Sequence, residues 1–424
     1  MTEQAATSTT PDAPDAAAPP AGATRNPFTV ANYQKWWSAS VVAGLGVGIQ
    51  AVTVPLFVRD RVDPDFRAIA IAAALICQTL PAAVLALVGG VAADRVERRR
   101  ILVRTYSVAA SVSVAYVFLA GFDVQAIWPV FLLAAVIGSA GAFTNPARQS
   151  MLPQIVGRSQ LQNGVIFGTM AFMASLQFLG PTVGGLIADL QGLTSAFAVE
   201  VVLLAAAALL FSRIGTDTPA PTGKTVFGDL KDGVRYTAGQ PPIVGLLLLA
   251  TIPGVLLMGP FAVTVVLMVE DIFAASDRYV GILWGCFGAG VFLGSVMLSL
   301  RQVGRRGWLL CFSVLAGGTI FVLYGLSESL YLSMAILVAW GLCPALFINF
   351  AVALLQETTA PEKMGRVMSM YGLAFSASVP IGYAQAGAVT SLWGPQATII
   401  SSGIVCALLG LGCLLFLRPV REMD

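Results

Sequence analysis

The sequence contains no histidine, and only 11% of its 424 residues are charged. The first absence removes histidine metal ligands, any Ser-His-Asp triad and any histidine proton relay. Protons handled here fall to carboxylates. The second absence excludes an ordinary soluble fold, because soluble domains carry roughly 25% charged residues. At 57% hydrophobic content the chain has too little charge to cover a surface in water, and lipid becomes its solvent. The six cysteines, Cys77, Cys286, Cys311, Cys343, Cys406 and Cys413, all lie in apolar runs and form no CxxC pair. Neither a disulfide framework nor a metal site follows, and they read as small apolar packing groups. Gly223-Lys224-Thr225 has Thr218 where a phosphate-binding loop requires its first glycine, so ATP-driven pumping is excluded. Without histidine, a cysteine cluster, paired carboxylates or a sizeable soluble domain, the chain reads as neither an enzyme nor a cofactor or nucleic-acid binder.

What the chain has in quantity is long uncharged runs. They cover 36–58, 68–93, 105–122, 124–147, 159–188, 236–269, 279–300, 307–327, 329–356 and 367–417, and 193–212 is interrupted only by Glu200. A membrane span needs about 20 apolar residues. The last run is long enough for two spans hinged at Trp393-Gly394-Pro395, which makes twelve. With the N-terminus placed in the cytoplasm, twenty of the 24 lysines and arginines fall on the inner side and only Arg59, Arg61, Arg67 and Arg278 on the outer. That asymmetry predicts a multi-pass protein of the cytoplasmic membrane with both termini inside. The expected organisation is a disordered tail over 1–27, a six-helix half over 28–213, a cytoplasmic linker over 214–241, a second half over 242–418 and a short tail over 419–424. A repeat at an offset of 202 supports the two halves: Gln154 with Gln356, Gly180 with Gly382, Gly185 with Gly387, and Gly192 with Gly394. Transporters are often built from such repeats, with the substrate site between them. The expected fold is therefore all-α, twelve transmembrane helices in two pseudo-symmetric halves.

Between spans two and three stands Gly89-Gly90-Val91-Ala92-Ala93-Asp94-Arg95-Val96-Glu97-Arg98-Arg99-Arg100. A basic inner loop accounts for the arginines but not for the glycine pair or for Asp94. The segment resembles the signature G-x-L-A-D-R-x-G-R-R/K of the major facilitator superfamily, matched at Gly90, Ala93, Asp94, Arg95, Arg98 and Arg99, with Ala92 for the usual Leu and Glu97 for the usual Gly. The resemblance implies a cytoplasmic latch in which Asp94 meets the start of span eleven near Gly365-Arg366-Val367. Gly180-Pro181-Thr182-Val183-Gly184-Gly185 in span five is similar to the end of that family's exporter signature; ordinary close packing of small residues is the alternative. Tyr33-Gln34-Lys35-Trp36-Trp37, Asn145-Pro146-Ala147-Arg148-Gln149 and the segment 356–367 resemble the branch of siderophore exporters and macrolide or multidrug efflux proteins. The resemblance thus implies secondary efflux of small organic molecules by alternating access, in a protein acting alone in the bilayer and exchanging protons. An importer or facilitator of the same fold is the alternative. Span four lacks the arginine that many proton-driven relatives carry, having Ala135 and Gly138 in that neighbourhood.

Glu200 is the lone carboxylate well inside a span. Placing a charged side chain at mid-membrane costs about 2.5–3.5 kcal/mol on insertion scales, so such groups are commonly functional. Proton coupling, a structural hydrogen bond and substrate contact all remain open for it. Gln50, Gln78, Gln177, Asn349 and Gln385 are candidates to line a substrate cavity, each equally open to reading as an interhelical hydrogen bond. Asp60, Asp189 and Asp271 read as solvated charges at the outer boundary.

Overall fold

A computed structural model of the chain describes residues 26–157, 160–215, 235–237, 239–300, 304–360 and 363–423. The expected tail over 1–25 and most of the linker, 216–234, lie outside the described residues. In hydrocarbon every backbone N–H and C=O must be satisfied within the segment, so each apolar run becomes a helix. They are α1 Ala31–Arg59, α2 Arg67–Arg95, α3 Arg98–Gly121, α4 Trp128–Ile155, α5 Leu161–Gln191, α6 Leu193–Ser212, α7 Pro241–Ile272, α8 Arg278–Ser299, α9 Arg306–Leu326 and α10 Leu330–Thr358. The last helical stretch, Met364–Phe416, has 53 residues. At 1.5 Å per residue it would run about 80 Å, more than twice the hydrocarbon thickness. Gly394 breaks it with φ 83° and ψ 171°. Across that break Thr390 bonds Thr398 at 2.8 Å and Gln385 bonds Ser402 at 3.0 Å, so the chain folds back as a hairpin. The two arms, α11 (364–393) and α12 (395–416), complete twelve spans.

The first half turns at the equivalent point. Gly192, between α5 and α6, has φ 83° and ψ 164°, a conformation reserved almost wholly for glycine. The glycine crossings repeat as well. A methyl group at Gly180 would lie 2.7 Å from the Cα of Gly48, joining α5 to α1; one at Gly259 would lie 2.5 Å from the Cα of Gly382, joining α7 to α11. One turn or so away, Gly44 lies against Phe172 and Ser175, and Gly254 against Phe375 and Ser378. Here the spacing shifts. Gly180 and Gly382 are 202 residues apart, but Phe172 and Phe375 are 203; Gly48 and Gly259 are 211 apart, but Gly44 and Gly254 are 210. Two π-turns account for both shifts, Ser175–Leu179 in α5 and Gly254–Met258 in α7. Each inserts one residue into one half only.

The halves meet along two seams. On one, α5 crosses α8, with Gly185 against Gly281 and the carbonyl of Gln177 against Gly288. On the other, α2 meets α11, where a methyl group at Gly387 would sit 2.6 Å from Ala72 Cβ. Each half has its own aromatic core. Phe57, Tyr116 and Phe197 pack together in the first, and Phe261, Phe287, Phe321 and Trp340 in the second. With twelve spans the start of α1 and the residues after α12 lie at one end of the bundle: Lys35 Nζ donates to the Arg213 carbonyl after α6, and Gly307 N of α9 to that of Met423.

Candidate functional site: a buried carboxyl group and the seam between the halves

Glu200, a third of the way along α6, is completely buried. Ser113 of α3 donates its hydroxyl to Glu200 Oε1 at 2.6 Å, and Gln50 of α1 donates Nε2 to the same oxygen at 3.0 Å. The carbonyl oxygen of Gln50 accepts from Gln78 Nε2 of α2 at 3.1 Å. With both ends of its amide engaged, Gln50 can face Glu200 only through its NH2 group. The other carboxyl oxygen, Oε2, has no hydrogen-bond partner and no water-accessible surface. Three helices of the first half, α1, α3 and α6, therefore meet at one carboxyl group through neutral donors, and α2 joins at one remove through Gln78. The chain of bonds starts at Gln78, a half-buried residue whose backbone carbonyl packs on Gly138 of α4. A proton placed on Oε2 would leave both bonds to Oε1 intact.

At the end of the bundle where α1 runs into α2, ion pairs tie the halves together. Arg59, at the end of α1, forms a two-pronged pair with Asp277, Nη1 to Oδ1 at 2.6 Å and Nη2 to Oδ2 at 2.9 Å. Its Nε donates to Asp60 at 2.8 Å. Arg67 reaches Glu270 at 2.8 Å, and Arg278 approaches Asp189 at 3.9 Å. Asp60 and Asp189 are thus members of an ionic network rather than simply solvated boundary charges: the packed α5–α8 and α2–α11 seams bring the helix ends within reach. A methyl group at Gly141 of α4, or at Gly365 or Gly372 of α11, would meet nothing within 4 Å. The ion pairs close one end of the bundle.

The remaining sequence candidates scatter over this frame. Gly180, Pro181, Gly184 and Gly185 are all buried, packing α5 against α1 on one side and α8 on the other. Gln50 is 3% exposed and spent on Glu200, inside the first half rather than on a cavity wall. Gln177 points its amide at Met173 Sδ, and exposed Asn349 returns its amide to the Ala345 carbonyl of its own helix. Gln385 bonds Ser402 and lines a peripheral cavity of about 410 Å³ with Leu256, Trp393 and Val405. Gln50 and Gln78 bond each other, whereas Gln177, Asn349 and Gln385 each have a separate partner. The surroundings of Gly90 and the side chains of Asp94 and Arg95 lie outside what the structure describes, although α2 carries their backbone. Arg98 and Arg366 are half-buried. Arg99 pairs with Glu97 at 2.9 Å, within the first half.

Sequence reading missed two participants. Ser113 is one serine among Ser107, Ser111 and Ser113 of α3, and nothing in the chain marks it out. Arg148, taken for an inner boundary charge, is only 3% exposed within α4, its guanidinium 3.7 Å over the Phe172 ring. The signal available was its place inside Asn145-Pro146-Ala147-Arg148-Gln149, ahead of a further apolar turn that extends the helix.

Two six-helix halves with matched crossings, two glycine seams and a polar group buried among membrane spans define a polytopic transporter, not an enzyme. The chain belongs to the transmembrane secretion effector family, a branch of the major facilitator superfamily, whose family model matches residues 22–424. It is 28% identical over 408 residues to the multidrug efflux pump Tap of Mycolicibacterium fortuitum, covering 91% of this chain and 95% of Tap. With the macrolide efflux protein A of Streptococcus pyogenes it shares 21% identity over 92% of this chain and 96% of the relative. The enterobactin exporter EntS of Escherichia coli is 24% identical over 79% of this chain and 80% of EntS. Among solved structures, a bacterial homologue of the human lysosomal transporter Spinster superposes with a TM-score of 0.73 at 13% identity, covering 92% of this chain and 97% of that one.

Proposed function

We propose that this protein is a secondary exporter of small organic molecules, drugs or siderophore-like metabolites, that exchanges them for protons by alternating access. The observation that carries the coupling is Glu200: a buried carboxyl group with no cation among its hydrogen-bonding partners, held by Ser113 and Gln50 and free at one oxygen. An ionised carboxylate in the membrane is expensive, and proton relays are among the uses for which such groups persist. Efflux as the direction is supported by the relatives, which include macrolide, multidrug and enterobactin exporters. The Gly180–Gly185 phrase adds to that support by giving α5 and α8 a close sliding contact.

In this reading the outer ion pairs hold the inward-open state. Opening to the outside would break them and bring the signature loop, with Asp94, Arg95, Arg98 and Arg99, against Gly365 and Arg366. The protein would act as a monomer in the cytoplasmic membrane, with both termini inside. The test is expression in a bacterial strain stripped of its own exporters, scored together for drug accumulation and siderophore secretion. Export by the native chain that is lost in Glu200→Gln at equal protein level supports the proposal. Export at the native rate by Glu200→Gln contradicts the coupling role, and cargo accumulating in the cells would indicate import instead.

A further inference from the structure

Glu97, like Ala92, is a position at which the loop departs from the family signature, and export by alternating access gives it no task. Its side chain is 10% exposed, and it uses both carboxylate oxygens: Oε1 on Arg99 Nε at 2.9 Å and Oε2 on Arg100 Nε at 2.6 Å. Holding each guanidinium by its Nε edge leaves the terminal amino groups pointing onward. Arg99 Nη1 makes a long contact to the Ser212 carbonyl, at 3.5 Å. Arg104 stands one turn beyond Arg100 on α3, exposed. Arg99, Arg100 and Arg104, with Val103 and Ser212 of α6, line a cavity of about 270 Å³ at the end of the bundle that holds the chain termini. Three guanidiniums against one carboxylate leave it strongly positive. Its flank is apolar and uncovered: Val108, one turn above Arg104 on α3, is 39% exposed, and Leu209, just above Ser212 on α6, is 54% exposed.

From this arrangement we infer that the cavity between α3 and α6 binds the phosphate headgroup of an anionic phospholipid, with Glu97 as the residue that positions two of its arginines. Planar guanidinium forks suit phosphate oxygens, and basic pockets between helices at the cytoplasmic surface recognise anionic lipid headgroups. The exposed Val108 and Leu209 select lipid over free phosphate, since only a lipid brings acyl chains to cover them. Positive charge that merely fixes topology needs neither a buried acid nor a shared cavity. The site is independent of cargo and of transport direction.

Native mass spectrometry of the purified full chain, with phosphatidylglycerol and phosphatidylcholine of identical acyl chains, tests it. The native protein should retain phosphatidylglycerol under activation that strips phosphatidylcholine, and millimolar inorganic phosphate should not displace it. Arg100→Gln with Arg104→Gln should lower phosphatidylglycerol retention roughly ten-fold or more, leaving phosphatidylcholine unchanged. Glu97→Gln raises the local positive charge yet should also lower retention, because Arg99 and Arg100 lose their brace; attraction by net charge alone would raise it. Equal retention in the native and double-variant proteins, displacement by phosphate, or tighter binding in Glu97→Gln would overturn the inference. Where the double variant does not purify as a monodisperse protein, Glu97→Gln alone decides.

Discussion

A carboxyl group with two donors on one oxygen and none on the other has an obvious place for a proton, and Glu200 is such a group. Glutamine at 200 would keep the accepting oxygen for Ser113 and Gln50 and put an NH2 group where Oε2 stands. Glu200→Gln should therefore fold and insert normally while losing proton-driven export, measured by monodisperse purification alongside efflux. Ser113→Ala removes the shorter of the two bonds. It should cost about 1–3 kcal/mol, seen as a lower melting temperature, and should change the pH dependence of export. Export with an unaltered pH profile in Ser113→Ala would show that this bond plays no part in coupling. At this scale the sequence revealed the exceptional residue and hid its surroundings. A lone acid in an uncharged run is conspicuous, whereas Ser113 and Gln50 are ordinary span residues until the crossing of α1, α3 and α6 brings them together.

Helices and turns tell a related story about repetition. Gly192 and Gly394 share an offset of 202 and the same left-handed-side φ of 83°, so that part of the repeat could be read directly. Replacing either by alanine forces a side chain into a region that costs about 1–3 kcal/mol. Both variants should melt at lower temperature than the native protein, by similar amounts if the turns are equivalent. The crossings at Gly44 and Gly254 obey the same symmetry but carry different offsets, because π-turns in α5 and α7 each add a residue to one half. A fixed-offset comparison loses them, which is why the sequence showed the repeat in fragments. The α5–α8 seam gives a sharper test. A methyl group at Gly185 would lie 2.9 Å from the Gly281 Cα, so Gly185→Val should separate the halves at that point and reduce turnover strongly. Normal export by Gly185→Val would show that the close crossing is dispensable.

For the molecule as a whole, twelve spans were legible from the charge-free runs, because the bilayer imposes their length. The ion pairs between the halves were not legible. Asp277, Glu270 and Asp189 look like boundary charges along the chain, and only the folded halves bring them to Arg59, Arg67 and Arg278. The Arg59 side chain is 10% exposed and its acidic partners about a third, so its loss should shift the balance between outward- and inward-open forms by about 1–2 kcal/mol after solvent screening. That corresponds to roughly ten-fold in population. Spin labels on the outer ends of α1 and α7 should report a longer distance in Arg59→Gln. The exchanged pair Arg59→Asp with Asp277→Arg should bring it back toward the native value. An unchanged distance distribution in Arg59→Gln would mean that the ion pairs follow the closed state without holding it.

The central claim is that a proton gradient drives export through Glu200. Its most direct measurement uses purified protein in liposomes, with an imposed pH gradient as the sole energy source and a macrolide and enterobactin as trial cargoes. Gradient-dependent transport of at least one cargo, abolished by a protonophore and by Glu200→Gln, is the result expected. Transport at the same rate with and without the gradient, or undiminished in Glu200→Gln, would contradict it.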